Sequence, residues 1–343
     1  MKAINQFWHR IGLAALFFMA FAFLPQGCSL MDYSVPDCGY TLKVRFVYDY
    51  NMKYADAFPH EVKTLTLYAF DQNGSLALTR TAATDTIISK GYMEISGLES
   101  GNYRLLVWAE GEQRHRDTYS FGSIELGSKD RLALTAKVNR EGTTVGNDLT
   151  ALYYGELENA DFTDVPEGGE RTVTVPLKKN TNLFKVVLQN LSGEPLNSDD
   201  FDYFITDSNG WLDGDNNLLK DDTLTYPAWS KYSGEAGIST DDSGVQTGVT
   251  AAIAELTTNR LMKGHDMRLR IVRNDTGKTI VNIPLVDYCL LVKGKYNEQM
   301  SDQEYLDRQD SYDLVFFIDK TRNWMSSVIY VNSWRVVLQN VDL

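Results

Sequence analysis

Alternation of apolar and polar positions dominates this chain and predicts β-strands. In residues 40–50, the apolar residues Leu42, Val44 and Phe46 are separated by basic ones, which is the period-two pattern of a half-buried strand. The same kind of pattern recurs in residues 62–70, 97–110, 131–138, 171–177, 184–190, 267–272 and 279–286.

Helical patterns are rare by comparison. Residues 51–59 and 299–310 predict two short helices, and turn signals separate the other segments from one another. Many short strands joined by turns are typical of β-sandwiches and not of a helical or α/β architecture. The sequence therefore predicts an all-β fold with short helices.

The length of 343 residues exceeds that of a typical single domain, and a repeated motif indicates how the chain divides. The segments "YAFDQNGSL" at 68–76 and "FITDSNGWL" at 204–212 share Asp-x-Asn-Gly-x-Leu directly after a predicted strand. Two copies of one sandwich explain this repeat, although Asn-Gly is also the favoured hairpin turn and can recur by chance. We predict two tandem β-sandwich domains, at 40–178 and 179–343.

The N-terminus has the organisation of a secretion signal. A short basic lead precedes 14 apolar residues at 11–24, whereas a membrane-spanning helix needs about 20. Gly27 and Cys28 follow as a small-residue–cysteine pair, which is the arrangement of a lipoprotein cleavage site. We predict a signal peptide at 1–27, lipidation of Cys28 and a lipidated linker at 28–39.

The alternative is ordinary signal cleavage, which leaves Cys28 free or paired with Cys38. A disulfide between Cys38 and Cys289 is equally compatible with an oxidising compartment, and the simpler possibility is a buried Cys289 with Cys38 unpaired. The spacing of the cysteines does not decide between these possibilities.

The charge of the chain limits its partners. A chain that begins at Cys28 has 46 acidic and 31 basic residues, because Lys2 and Arg10 leave with the signal, so its net charge is −15. Such a surface repels phosphate, and nucleic acid is not an expected partner. Any contact with a membrane must be apolar or covalent, and more than one acyl chain on Cys28 gives stable anchoring.

Signatures of catalysis and of cofactor binding are not found in the sequence. His60, His115 and His265 belong to no metal-ligand pair or nucleophile motif, so we predict neither an enzyme nor a cofactor. The acidic segment 207–222 resembles a calcium loop in composition. It departs from the EF-hand pattern, however, at the glycine and at the final acidic position, and a plain acidic loop is the favoured interpretation.

Two further features concern binding partners. Trp211, Tyr226 and Trp229 lie close together in a polar region and can stack on sugars, plug a sandwich or face a protein. The pentapeptide "VVLQN" occurs at 186–190 and again at 336–340, in a predicted strand that runs to the last residue.

A terminal strand of this internal character can complete the sheet of another subunit, although it can also close its own domain. On the first hypothesis, the partner-binding residues are Trp334, Val336, Leu338, Val341 and Leu343.

From Cys28 onwards, the chain resembles the lipid-anchored, fimbrillin-associated anchor subunits of Bacteroidales type V fimbriae. The similarity rests on five blocks in the same order, at 44–76, 251–262, 283–291, 303–319 and 328–337, the last of which is "VIYVNSWRVV". The resemblance implies two transthyretin-like β-sandwiches and a palmitate-bearing lipoprotein of the cell outer membrane. It also implies attachment to a fimbrillin stalk subunit at the base of a fimbrium, with no catalytic residues.

In the polymerising subunits of such fimbriae, an arginine-directed protease removes the first strand. Here the loop 51–60 contains no arginine, and Arg45 lies within a predicted strand, so we expect the first strand to be kept. The predicted function is therefore that of a non-covalently assembled anchor subunit. The alternatives are a surface glycan-binding lipoprotein and an accessory or tip subunit of the same fimbrium.

Overall fold

The computed structural model describes residues 41–113, 117–165, 169–190, 192, 194–240 and 246–337. The first half contributes strands β1 (Thr41–Val47), β2 (Thr64–Phe70), β3 (Leu76–Ala83), β4 (Met93–Ile95), β5 (Asn102–Glu110), β6 (Tyr119–Phe121), β7 (Ala136–Val138), β8 (Leu152–Asp161) and β9 (Glu170–Lys179). No helix in this described part of the chain has the length and apolar character that a membrane span requires.

The second half contributes β10 (Asn182–Asn190), β11 (Phe201–Asp207), β12 (Trp211–Leu212), β13 (Leu224–Pro227), β14 (Ser230–Thr240), β15 (Gln246–Thr258), β16 (Arg268–Arg273), β17 (Thr279–Pro284), β18 (Ser311–Ile318), β19 (Trp324–Val331) and β20 (Trp334–Val337). The helices are α1 (Phe58–Glu61), α2 (Thr84–Lys90), α3 (Leu285–Leu291) and α4 (Asp302–Arg308). The predicted all-β fold with short helices is confirmed.

The first sandwich is formed by one continuous seven-stranded sheet that bends into two layers. Its strand order is β3-β2-β5-β8-β9-β1-β4. Strand β9 joins the two layers, because its residues 170–176 pair with β1 and its residues 177–179 pair with β8. Alternate residues from both layers, among them Val44, Leu67 and Val107, form a shared core. The period-two pattern thus places one face of each strand inside.

The second sandwich has two separate sheets. One has six strands in the order β14-β15-β10-β18-β19-β20, and the other has four in the order β13-β11-β16-β17. Val186 and Phe316 from the larger sheet pack in one cluster with Tyr203 and Leu269 from the smaller sheet. Burying these alternate residues supplies most of the stabilising free energy of the layer pair.

The two sandwiches share a topology that fits the sequence repeat. Strand β1 pairs in parallel with β9, and β10 pairs in parallel with β18. The two copies of the motif end differently, however. The first makes a hairpin turn at Gly74, whose φ is +76°, whereas the second leads into β12, which pairs with β7 of the first half.

This pairing of β7 with β12 crosses the predicted boundary between residues 178 and 179, and the cores also meet there. Trp108 and Tyr154, on the outer face of the first sandwich, belong to the same apolar cluster as Val186 and Tyr203. The boundary itself stays a prediction, since a shared core and a shared sheet join the two halves.

The helix predicted at 51–59 is wrong over most of its length. Hydrogen bonds from the Asn51 side chain to the carbonyls of Tyr48 and Ala55 hold a tight loop instead. The Asp56 carboxylate also accepts from two backbone N–H groups of this loop. The helix starts only at Phe58. Such short polar side chains compete with helical hydrogen bonds.

The helix predicted at 299–310 is confirmed as Asp302–Arg308, where the Ser301 hydroxyl caps the backbone N–H of Glu304. Helices α2 and α3 are not predicted from the pattern. The predicted strand 279–286 ends at Pro284, where α3 begins, and the predicted strand 131–138 is regular only over Ala136–Val138.

Candidate functional site: the C-terminal sheet edge and the seam between the sandwiches

Strand β20 forms one edge of the six-stranded sheet. It pairs with β19 in antiparallel register, with Val331 opposite Trp334 and Ile329 opposite Val336. Among the described residues, no strand pairs with its other side. An open strand edge of this kind offers backbone N–H and C=O groups to a further strand.

A tight turn orients this edge. Asn332 and Ser333 have φ values of +48° and +67°, as the two central residues of a type I′ hairpin turn require. The Asn332 side-chain oxygen accepts a hydrogen bond from the Asp313 backbone N–H at 2.8 Å. The backbone N–H of Asn332 in turn donates to the Asp313 carbonyl at 2.8 Å. The turn is therefore fixed to β18, two strands inward.

Trp334 is the most exposed aromatic residue of this edge, with 61% of its surface accessible, whereas Val331 opposite it is fully buried. The facing sheet has two strands fewer than this six-stranded sheet. Of the other predicted partner-binding residues, Val336 lies in β20. Leu338, Val341 and Leu343 lie outside the described residues, as does the predicted lipidation site Cys28.

A buried ion pair lies at the seam between the sandwiches. The Arg260 guanidinium makes two hydrogen bonds to the Asp307 carboxylate, at 2.9 and 2.8 Å. The ammonium of Lys178, in the last strand of the first sandwich, lies 3.2 Å from the same carboxylate. Burial raises the pKa of Asp307, but the hydrogen bonds and charge of Arg260 outweigh burial, so this pKa is below its usual value.

The acidic segment 207–222 pairs with arginines of the first half. Asp215 accepts two hydrogen bonds from Arg131, at 2.7 and 2.5 Å, and Asp221 accepts two from Arg140, at 2.6 and 2.7 Å. In the part of the chain that the structure describes, no group of three potential metal ligands forms. These carboxylates act as ion-pair partners across the seam.

Amide side chains complete the seam. Asn180 and Asn216 exchange hydrogen bonds through their side-chain amides, at 2.7 and 3.2 Å. Lys179 lies between Glu61 of the first sandwich and Asp310 of the second, at 3.1 and 2.7 Å. The polar groups of the seam thus satisfy one another across the junction, as buried polar groups must.

The aromatic residues considered for glycan binding do not form one exposed platform. Tyr226 is buried, and its hydroxyl donates to the side-chain oxygen of Asn209 at 2.7 Å. The Trp211 ring faces the Lys137 ammonium, 4.4 Å from its centroid, and Trp229 is half-buried. The sequence brings these rings close together along the chain, but the fold separates their roles.

Of the cysteines considered from the sequence, Cys289 lies among the described residues. Cys289 is fully buried in α3, where burial raises the pKa of its thiol well above the usual range. Cys38 lies outside the described residues.

Arg131 and Arg260 were not predicted as functional, because their partners lie 84 and 47 residues away along the chain.

Solved structures share this arrangement of two sandwiches. A Bacteroides thetaiotaomicron protein described as a candidate adhesin is 33% identical, with a TM-score of 0.74 over 87% of this chain and 97% of its own. A second protein from that organism, described as a candidate polysaccharide-binding protein, is 31% identical, with a TM-score of 0.73 over 87% of this chain and 98% of its own. The fold therefore defines a two-sandwich protein of the same structural class as these bacterial proteins.

The particular family follows from the sequence as a whole. The profile of the fimbrillin-A associated anchor proteins Mfa1 and Mfa2 matches residues 35–340, and the chain belongs to this family. It is 24% identical over 264 residues to the minor fimbrium anchoring subunit Mfa2 of Porphyromonas gingivalis, covering 76% of this chain and 74% of that protein. The resemblance stated from the sequence blocks is confirmed, and the family is one of fimbrial anchor proteins and not of enzymes.

Proposed function

We propose that this chain is the lipid-anchored base subunit of a fimbrium, located at the outer membrane. Acyl chains on Cys28 hold it in the membrane, and its C-terminal edge joins the first fimbrillin stalk subunit by backbone strand pairing. The observation that carries the proposal is the family match over residues 35–340. The open edge at Trp334 supports the strand-pairing part of it.

The linker between the proposed lipid and the first sandwich leads into strand β1. Residues 28–40 span at most roughly 45 Å when fully extended, which sets how far the body can stand from the lipid. Strand β1 then starts at Thr41 and pairs with β9 through seven residues. The proposed anchor keeps its first strand, and since β1 lies between β9 and β4 in the sheet, tension on the linker passes directly into the sandwich.

Force then passes through the seam. The ion pairs of Asp215, Asp221 and Asp307 join residues from both halves of the chain. In the proposed role, the two sandwiches act as a stiff spacer between membrane and stalk. The stalk contact needs no covalent chemistry, because added backbone hydrogen bonds supply affinity and side-chain pockets supply specificity.

The anchor is tested by replacing the predicted lipidation site. We expect Cys28→Ser to abolish labelling with radioactive palmitate and to move the protein and its fimbriae from the membrane fraction to the medium. Cys38→Ser is the matched control and should change neither. Full palmitate labelling and membrane retention of the Cys28→Ser protein would contradict the proposal.

Surface glycan binding is the second candidate function. It is favoured by the 31% identity to the protein described as a candidate polysaccharide-binding protein. A glycan array probed with the wild type and with Trp211→Ala and Trp229→Ala variants tests the aromatic residues considered above. Binding that these variants weaken would support this role, whereas an array without signal would remove it.

A further inference from the structure

A cleft of about 280 Å³ opens on the first sandwich, away from the C-terminal edge and from the seam ion pairs. Its floor is the outer face of β3, β2 and β5. Thr81, Thr66 and Trp108 lie side by side across these strands, and Thr64 lies beside Glu110 in the adjacent row. Two rows of side chains on three strands give a floor of roughly 10 Å by 7 Å.

One wall of the cleft is aromatic. Phe121 of β6 stands at its mouth with 37% of its surface exposed. Its ring centroid lies 6.3 Å from that of Trp108, at an interplanar angle of 48°. Trp108 is fixed from below, because its indole N–H donates to the Leu134 carbonyl at 2.8 Å. The cleft therefore presents one accessible aromatic ring on a rigid support.

The floor of the cleft also carries polar groups. The hydroxyls of Thr66 and Thr81 lie 2.9 Å apart and remain accessible. Glu110 is half-buried and has neither a hydrogen-bond donor nor an ion-pair partner for its carboxylate among the described residues. Burial, followed by the charge of Asp117, raises the pKa of this carboxyl. A half-buried carboxylate without a partner gains free energy from any ligand that donates hydrogen bonds to it.

We propose that this cleft binds one sugar ring of a neutral saccharide. The apolar face of the sugar packs on Phe121, and its hydroxyls donate to Glu110 and exchange hydrogen bonds with Thr66 and Thr81. The volume is near the lower limit for small-ligand sites, which fits a single ring and not a long chain. The proposal is independent of the lipid anchor and of the C-terminal edge, and it uses none of the tryptophans considered from the sequence.

An extended peptide is the other occupant to consider, since β3 is an edge strand. A strand-like ligand needs alternating apolar pockets along the edge. The cleft here instead presents three threonines and a carboxylate beside the exposed Phe121 ring, with the buried Tyr68 and Trp108 beneath. These groups match a polyhydroxylated ligand better than a peptide.

The test uses the mature chain from Cys28 in detergent. A glycan array comes first, followed by calorimetric titration with glucose, galactose, mannose and N-acetylglucosamine. We expect binding of at least one saccharide, and a loss of at least about tenfold in affinity for Phe121→Ala and for Glu110→Gln. Leu126→Ala, which removes a side chain of a residue that is 69% exposed, is the matched control and should leave affinity unchanged.

Two outcomes would overturn the proposal, namely no saccharide binding and binding that neither cleft variant alters. A special case of the first is that no saccharide binds and Phe121→Ala weakens capture of the stalk subunit. That case would identify the cleft as a protein contact. Unchanged thermal unfolding of the Glu110→Gln variant verifies that a loss of binding is not a loss of fold. Membrane retention of the cleft variants keeps this test separate from that of the anchor.

Discussion

Single residues at the seam are constrained by the cost of burying charge. Arg260 and Asp307 are both buried, and the guanidinium also donates to the Asn216 carbonyl at 2.7 Å. Each charge is tolerated because the other is present, since an unpaired buried charge is strongly destabilising. The pair therefore fixes how α4 and the end of β15 meet the loop that contains Asn216.

We predict that Arg260→Ala lowers the free energy of unfolding by about 3 kcal/mol, because it leaves the Asp307 carboxylate buried with only the Lys178 ammonium and the Gln303 side-chain amide as partners. Urea unfolding monitored by circular dichroism measures this. The control is Lys263→Ala, which removes an exposed partner of Asp302 and should cost less than about 1 kcal/mol. Equal effects of the two substitutions would contradict the role assigned to Arg260.

The Arg260–Asp307 pair also predicts that the free energy of unfolding depends on pH. Burial raises the pKa of Asp307, but the hydrogen bonds and charge of Arg260 bring it below the ordinary 3.8. The folded state thus binds this proton less readily than the unfolded chain. The resulting stability is complete above pH about 4 and is lost as the pH falls through the lowered pKa of the folded state.

The measurement is the difference in stability between wild type and Asp307→Asn, which has no carboxyl to titrate. We expect this difference to be constant between pH 7 and pH 5 and to shrink towards pH 3. A difference that grows on acidification would show that the sign of the shift is wrong.

Among the elements, the β19–β20 hairpin is the one to which we assign assembly. The Asn332–Ser333 turn and its hydrogen bonds to Asp313 keep β20 at the sheet edge. The paired residues Ile329 and Val336 show that the strand continues the sheet with regular register. An element that is fixed on one side and open on the other suits strand addition.

We predict that deleting residues 336–343 leaves a folded, palmitate-labelled protein that no longer captures stalk subunits, because the second half of β20 and all residues after it are gone. Co-purification of the stalk subunit with the tagged anchor measures capture. Trp334→Ala is the milder variant and should weaken capture while β20 remains in place. Undiminished capture by the deletion variant would assign assembly to another surface.

The strands could be predicted from the sequence because each buries one face, so that residues 40–50 and 184–190 alternate visibly. Helix α3 could not, because its short segment "LVDYCLL" follows directly on strand β17 and only packing of Leu285 and Cys289 into the core selects the helix. The Asn51 loop was missed because its hydrogen bonds come from side chains. The seam was missed because Arg131 and Asp215 meet only in the folded chain.

At the scale of the whole molecule, the two sandwiches are joined by a shared sheet, a common apolar cluster and several ion pairs. Strand β12 pairs with β7, and the outer face of the first sandwich packs with the second core. Domains that share a core in this way unfold together, because exposing one removes contacts from the other. In the role proposed above, this coupling makes the two sandwiches a stiff spacer.

We therefore predict a single cooperative urea transition for the wild type, with tryptophan fluorescence and circular dichroism coinciding. Replacing both Arg131 and Arg140 by alanine removes the guanidinium groups that make two hydrogen bonds each to Asp215 and Asp221, leaves only Arg104 at 3.4 Å from Asp215, and should separate the transition into two. Lys90→Ala, which removes only an exposed ion pair with Glu94, is the control and should keep one transition. Two transitions in the wild type would contradict a single mechanical unit.

The position of the protein on the fimbrium tests the central claim most directly. Immunogold labelling of intact cells with an antibody against residues 41–337 reports this position in the electron microscope. The account predicts gold only where fimbriae meet the cell surface, and gold on bare membrane but not along the stalks when residues 336–343 are deleted. Gold at the distal tips of wild-type fimbriae would contradict it and would support a tip subunit instead.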